Sequence, residues 1–439
     1  MKRPAAGFVL AAVAAAAQAP PAPPPPASRG VTVQAALRTR VEGWSWFEPE
    51  SGGPDYVFSG NIARLSFSRN AERVDWQVEV AAPVLLGLPA DAAAPGAQGP
   101  LGLGANYFLA NGRRRNAAGL FPKQAWIRFK QNRHAVRIGR FEHMDGAETA
   151  PKNATLAAVK RDRVHMRLLG HFAWTHVGRS FDGAHYTYNH AGGNFTAIGA
   201  VPTRGVFQTD GWGQTHTAFG YAAHTWTWPG RNPAGDTRLF ALSYRDWRRV
   251  LKTDNRPAAV RGGDFESIRV ETFGGHSVHA LETRAGTADL LVWGVAQTGR
   301  WGLLTHRAYA FDLEAGLQPK GGGRWKPWLR GGLSVGSGDG DPSDSRHGTF
   351  FQVLPTPRPF ARFPFFNMMN NEDRFGMLIL RPHAKATVSA EFHSLRLHRR
   401  SDLWFQGGGV FQPWTFGYAG RPPGGARALA NLYDTSAEL

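Results

Sequence analysis

After residue 31, polar and apolar positions alternate with a period close to two, the spacing of a strand whose two faces meet different surroundings. In 32–44, Val33, Leu37 and Val41 share one face, while Gln34, Arg38, Arg40 and Glu42 share the other. Ala63, Leu65 and Phe67 oppose Arg64 and Ser66; Val74, Trp76, Val78 and Val80 oppose Asp75, Gln77 and Glu79. Ala125, Ile127 and Phe129 oppose Gln124, Arg128 and Lys130. The same parity puts Arg269, Glu271, Asp312, Glu314, Arg330, Lys385, Glu391 and His393 on the polar faces of later segments. It breaks at Gly139, which predicts a bulge there. A strand over 174–182 with Ser180 and Asp182 inward would turn Arg179 outward, at a rim or out of register.

Connections also alternate. The turns 69–71 and 131–133 are short, whereas 82–120, 144–167, 248–264, 337–374 and 399–428 are long. No apolar run is long enough for a membrane helix. Together these features predict an all-β chain: a transmembrane antiparallel β-barrel of about 16–18 strands, with long extracellular loops and short periplasmic turns. About sixteen strands can be counted, the last beginning near Asn431. Such barrels usually finish on a full amphipathic strand with a terminal aromatic, whereas this strand stops at Leu439, so the barrel, residues 31–439, is expected to lack about two C-terminal strands.

Charge sharpens this picture. There are 51 Lys+Arg against 33 Asp+Glu, a net +18. The cations are dispersed through strand-like segments, which argues against nucleic acid as a partner. With no cysteine, thiolate catalysis, disulfides and Cys-ligated metals are excluded. Residues 1–19 read as an export signal: Lys2 and Arg3 precede an apolar stretch, and Ala17-Gln18-Ala19 has the small-x-small form. Removing Lys2 and Arg3 leaves the chain at +16. Residues 20–30 read as a Pro-rich periplasmic linker. The expected location is the outer membrane of a Gram-negative-type envelope, with its lipid as a partner.

A lumen lined by Arg38, Arg40, Arg64, Arg128, Lys130, Arg269, Arg330 and Lys385, tempered by Glu391, would concentrate anions and fork onto carboxylates. Asp339, Asp341 and Asp344 are hard oxygen donors for Ca²⁺, although their loop lacks the length and closing Glu of an EF-hand. Gly332-Leu333-Ser334-Val335-Gly336 has the form of a nucleophile elbow, but it continues a strand and no helix follows. No enzyme activity and no cofactor are expected.

Gly139-Arg140-Phe141-Glu142-His143-Met144-Asp145-Gly146, Arg179-Ser180-Phe181-Asp182-Gly183 and the loop from Ser337 to Thr356 resemble motifs of the alginate-export outer-membrane proteins. With the signal and strand layout, the resemblance spans essentially the whole mature chain. It implies a monomeric barrel of about eighteen strands whose arginine-rich constriction conducts an acidic polysaccharide. It also implies that Arg140 and Asp182 line the lumen near that constriction. The expected function is passive passage of an anionic, alginate-like polyuronate, with periplasmic export components as partners. Two alternatives remain open: a porin for small anionic solutes, and a structural or surface-binding barrel with an occluded lumen.

Overall fold

The computed structural model describes residues 30–46, 49, 51–93, 100–228, 230, 232–356 and 366–439. The export signal and all but the last residue of the linker lie outside the described residues. One antiparallel meander dominates. Its strands are β1 (Thr32–Ser45), β2 (Asp55–Asn70), β3 (Val74–Leu86), β4 (Phe121–Gln131), β5 (His134–Phe141), β6 (Phe181–His190), β7 (Gly193–Pro202) and β8 (Thr217–Trp228). The second half comprises β9 (Ala234–Asp246), β10 (Ile268–Glu282), β11 (Gly286–Trp301), β12 (Leu304–Pro319), β13 (Trp328–Gly336), β14 (Asn371–His383), β15 (Ala386–Leu397) and β16 (Ala428–Glu438). Of the eighteen strands in the sheet, Ala117–Ala118 and Arg346–His347 are two-residue additions, which leaves these sixteen. Each long strand pairs with its neighbours in sequence, and no ladder joins β1 to β16 among the described residues.

The sheet wraps around its own loops. The segment 142–180 meets β1 through Arg38 and Ala173, β9 through Lys160 and Asp236, and β12 through Arg163 and Glu314. A flat sheet could not offer three such distant strands to one loop; a barrel does. The face away from the loops is apolar and exposed, as at Leu37, Val57, Leu239, Leu290 and Leu313. This is a lipid-facing wall in the sense that a β-barrel requires, with its backbone paired strand to strand. Stacked rings of His134, Tyr188, His190 and His224, with Trp226 tilted against His224, lie at the short-turn end, where an interfacial aromatic girdle belongs.

Three details differ from the periodicity. Residues 174–180 are loop, and β6 starts only at Phe181, so Arg179 is not a wall residue. β5 pairs without interruption at Gly139, whose φ of +122° lets it lie against the Ala125 carbonyl, a place where a Cβ would be 2.2 Å from that oxygen. The bulge is instead on the neighbouring strand, where the register skips Lys123. That extra residue turns Lys123 inward. Finally, β11 and β12 join through Gly302 and Leu303 alone, an exception to the long-loop rule at that end.

The buried apolar core lies inside the barrel. Phe141, Phe181, Phe219, Tyr244 and Trp301 of the wall pack with Phe350, Phe351, Leu354 and Phe416 of the long loops.

Candidate functional site

The site is the charged lumen. On β1–β5, inward parity and the Lys123 bulge bring seven cations (Arg38, Arg40, Arg64, Lys123, Arg128, Lys130 and Arg137) toward Glu42, Asp75 and Glu79 of the wall and Glu142 at the start of the folded-in loop, a surplus of three positive charges. Arg64 donates to Glu79 Oε1 at 2.6 Å and reaches Glu142 at 3.4 Å. Lys123 is 3.5 Å from Glu142. Burial opposes ionisation of Glu142, but Arg64, His171 and Lys123 prevail and hold its carboxyl down at about 2. Asp75 serves two cations at once: Arg128 Nε donates to it at 2.7 Å and Lys130 Nζ lies 2.7 Å away. Arg64, Arg128 and Lys130 keep 29%, 35% and 26% of their side-chain surface exposed, so these three still present charge to the aqueous lumen.

The remaining predicted residues separate. Arg38 donates to Ala173 O at 2.7 Å and Arg40 to Trp174 O at 2.8 Å, so both face the lumen but clamp the loop there. Arg330 faces inward but is buried, 3.1 Å from both Asp289 and Glu314. Glu391 faces inward beside His393, whose Nδ1–H donates to Asp373 Oδ2 at 2.8 Å. Lys385 is exposed in the two-residue turn between β14 and β15 and lines no wall.

Arg269, Arg140 and Asp182 face outward. Inward parity on β10 belongs to Ile268, Val270 and Thr272, leaving Arg269 and Glu271 on the face of the exposed Phe273. On β5 and β6, Phe141 and Phe181 point inward and are fully buried. Arg140 and Asp182, paired at 2.7 Å, lie outside under residues 211–214, where Arg140 also donates to Gly211 O and Trp212 O. The cause is common to both places. At these two places the folded-in loops offer the wall an apolar surface, so Ile268, Val270, Phe141 and Phe181 face inward and the charged neighbours face outward.

Asp339, Asp341 and Asp344 do not converge. Each carboxylate accepts backbone N–H groups two residues ahead, at Asp341, Ser343 and Arg346, and no metal-holding group of three occurs among the described residues.

Periodicity missed the loop's own charges. Lys160 pairs with Asp236, Arg163 lies 2.9 Å from Glu314, and Arg167 pairs with Asp312 and Glu314. The signal was present: Asn153 caps a short helix, Ala154–Val159, whose Leu156 and Val159 demand burial, and cations follow at once. A loop both apolar and basic belongs inside an acidic barrel wall.

Sixteen antiparallel wall strands, an apolar exterior and a charged lumen constricted by folded-in loops define a transmembrane antiparallel β-barrel. Solved structures agree. OccK9 (OpdG) of Pseudomonas aeruginosa matches over 93% of this chain and 98% of its own, with a TM-score of 0.52 at 9% identity. OccK2 (OpdF) of the same organism, in complex with glucuronate, matches over 93% and 95% with a TM-score of 0.52 at 9% identity. A BenF-like porin from Pseudomonas fluorescens Pf-5 matches over 92% of each chain with a TM-score of 0.51 at 9% identity. At such identity the likeness carries the fold alone. No family description and no curated protein matches the sequence. The alginate-export resemblance therefore rests on the sequence motifs; among these three structural neighbours one is named a porin.

Proposed function

We propose that this chain is an outer-membrane channel for small anionic organic solutes, carboxylates foremost, that diffuse passively past Arg64, Arg128 and Lys130. The observation that carries the reading is the set of partly exposed cations Arg64, Arg128 and Lys130, within a cluster that has three more cations than carboxylates and faces the loop folded into the lumen. A guanidinium in a narrow, low-dielectric pore attracts carboxylates and binds them bidentately without trapping them. The structural neighbours, one crystallised with glucuronate and one named a BenF-like porin, support a small solute over the polymer implied by the motifs. Packing of 142–180 against β1, β9 and β12 also favours a small cargo, since a polyuronate needs a continuous wide path.

The test is reversal potential in a planar bilayer across a salt gradient, followed by glucuronate flux into proteoliposomes. Lys130→Gln removes one positive charge yet leaves Arg128 on Asp75, so the wall stays paired. The expected result is anion preference in the wild type, diminished in Lys130→Gln, with glucuronate crossing and soluble polyuronate excluded. Passage of the polymer would return the reading to polysaccharide export. A barrel that conducts nothing would favour the occluded, structural alternative.

A further inference from the structure

We infer that the outer wall carries a binding site for a phosphate-bearing lipid headgroup of the outer leaflet, built by Arg245, Arg269 and Arg300. These residues stand directly opposite one another on three adjacent strands: Arg245 pairs in register with Arg269, and Arg269 with Arg300. Parity turns all three outward, because Tyr244, Val270 and Trp301 beside them are fully buried inside. Neighbouring strands lie about 4.8 Å apart, so this is a tight row of like charges, an arrangement that costs stability unless an anion relieves it.

One carboxylate serves the row. Glu271 lies 2.5 Å from Arg245, and no carboxylate pairs with Arg269 or Arg300 among the described residues. Arg307 adds a further exposed cation, opposite Thr298 on β12. A phosphate offers several strong acceptor oxygens to such forks, and Arg is the side chain suited to take it.

Height on the wall selects a lipid. The row lies at the long-loop ends of β9, β10 and β11. Phe273, four residues along β10 and 56% exposed, begins the apolar band, which continues through Leu239, Leu290 and Leu313 to Leu281. With strands tilted about 40°, four residues place the arginines roughly 10 Å above the hydrocarbon edge, at headgroup level. An acyl chain can then lie along the wall directly below the phosphate. The inference depends on the barrel fold and not on which solute crosses the lumen.

The test uses the full chain in detergent, with thermal unfolding and native mass spectrometry as readouts. The probes are diphosphoryl lipid A, the same lipid with its phosphates removed, and inorganic phosphate. The wild type should retain diphosphoryl lipid A and melt higher with it, while the dephosphorylated lipid and inorganic phosphate do neither. Arg269→Gln/Arg300→Gln should weaken retention by about tenfold or more for each arginine lost. Arg269→Lys/Arg300→Lys, which keeps charge but loses the fork, should fall between and covers the case in which the neutral pair fails to fold. Equal retention by wild type and both variants, or equal stabilisation by inorganic phosphate, would overturn the inference.

Discussion

Arg163 Nε, on the loop folded into the barrel, lies 2.9 Å from Glu314 Oε1 on the far wall, and both side chains are almost wholly buried. Glu314 also receives Arg167 at 3.3 Å and Arg330 at 3.1 Å, so one carboxylate holds three guanidinium groups. Removing one partner of such a cluster leaves charge buried without compensation, a cost of about 3–5 kcal/mol. Glu314→Gln should therefore undock the loop while the strand ladder holds. Single-channel recording should show larger, noisier unitary currents at nearly unchanged melting temperature. Currents identical to wild type would mean that other contacts position the loop.

Arg179 ties three loops with one side chain. It donates to Gly170 O at 2.7 Å, Val410 O at 2.8 Å and Pro355 O at 3.0 Å. Only a planar fork reaches carbonyls in several directions at once. Arg179→Lys should lose at least two of these bonds, each worth about 1.5–3 kcal/mol for a charged donor. Hydrogen exchange should speed up at the amides of Gly170 and Leu354, which bond to Leu354 O and Leu168 O at 2.8 Å. Protection equal to wild type at those amides would count against Arg179 as the tie.

Parity read the wall well wherever the lumen is wet. On β1 to β4 the exposed Leu37, Val41, Leu65, Val78 and Ile127 all lie opposite the charged residues, as alternation alone requires. It failed at Arg269, where Ile268 and Val270 face inward against loop residues instead of water. Alternation shows that a strand has two faces but does not say which face meets lipid. Where a folded-in loop makes the inner face apolar, as at Ile268 and Val270, and charge sits on the outer face, as at Arg269, the pattern inverts without any break in period. The motif-based placement of Arg140 and Asp182 in the lumen failed for the same reason, at Phe141 and Phe181.

Gly60 on β2 is a place where the wall must be bare. A Cβ there would lie 2.2 Å from His176 Nε2, the nitrogen 2.9 Å from buried Glu42. Gly60→Ala should push His176 off Glu42 and cost about 1–3 kcal/mol, the penalty of a buried acceptor losing a partner. In Gly60→Ala/His176→Ala the clash has no target, so the two effects should not add. A double-mutant cycle of thermal unfolding checks this; strict additivity would show that the two residues do not meet.

Asp402 makes the outer loops sensitive to pH. Its Oδ2 accepts Asp339 N–H at 2.8 Å and Thr349 Oγ1–H at 2.5 Å, and its Oδ1 accepts Leu403 N–H at 2.7 Å, clamping 398–427 onto 337–356. Burial pushes the Asp402 carboxyl up to about 7; the three donors pull the other way, and the nearby Asp339 adds to the rise. In the undocked loop the carboxyl ionises near the usual aspartate value of about 4. Between these values the docked loop holds a proton that the undocked loop has released, so docking weakens as pH rises. The stabilisation is complete below about pH 4 and is lost as pH passes through about 7, on the order of a few kcal/mol in total. Limited proteolysis of 398–427 should accelerate from about pH 5 to about pH 8 in the wild type. In Asp402→Asn, neutral throughout, the rate should be set by the lost bonds and stay flat with pH. A wild-type rate equally flat across that range would assign the clamp to the backbone donors alone, with Asp402 ionised in both states.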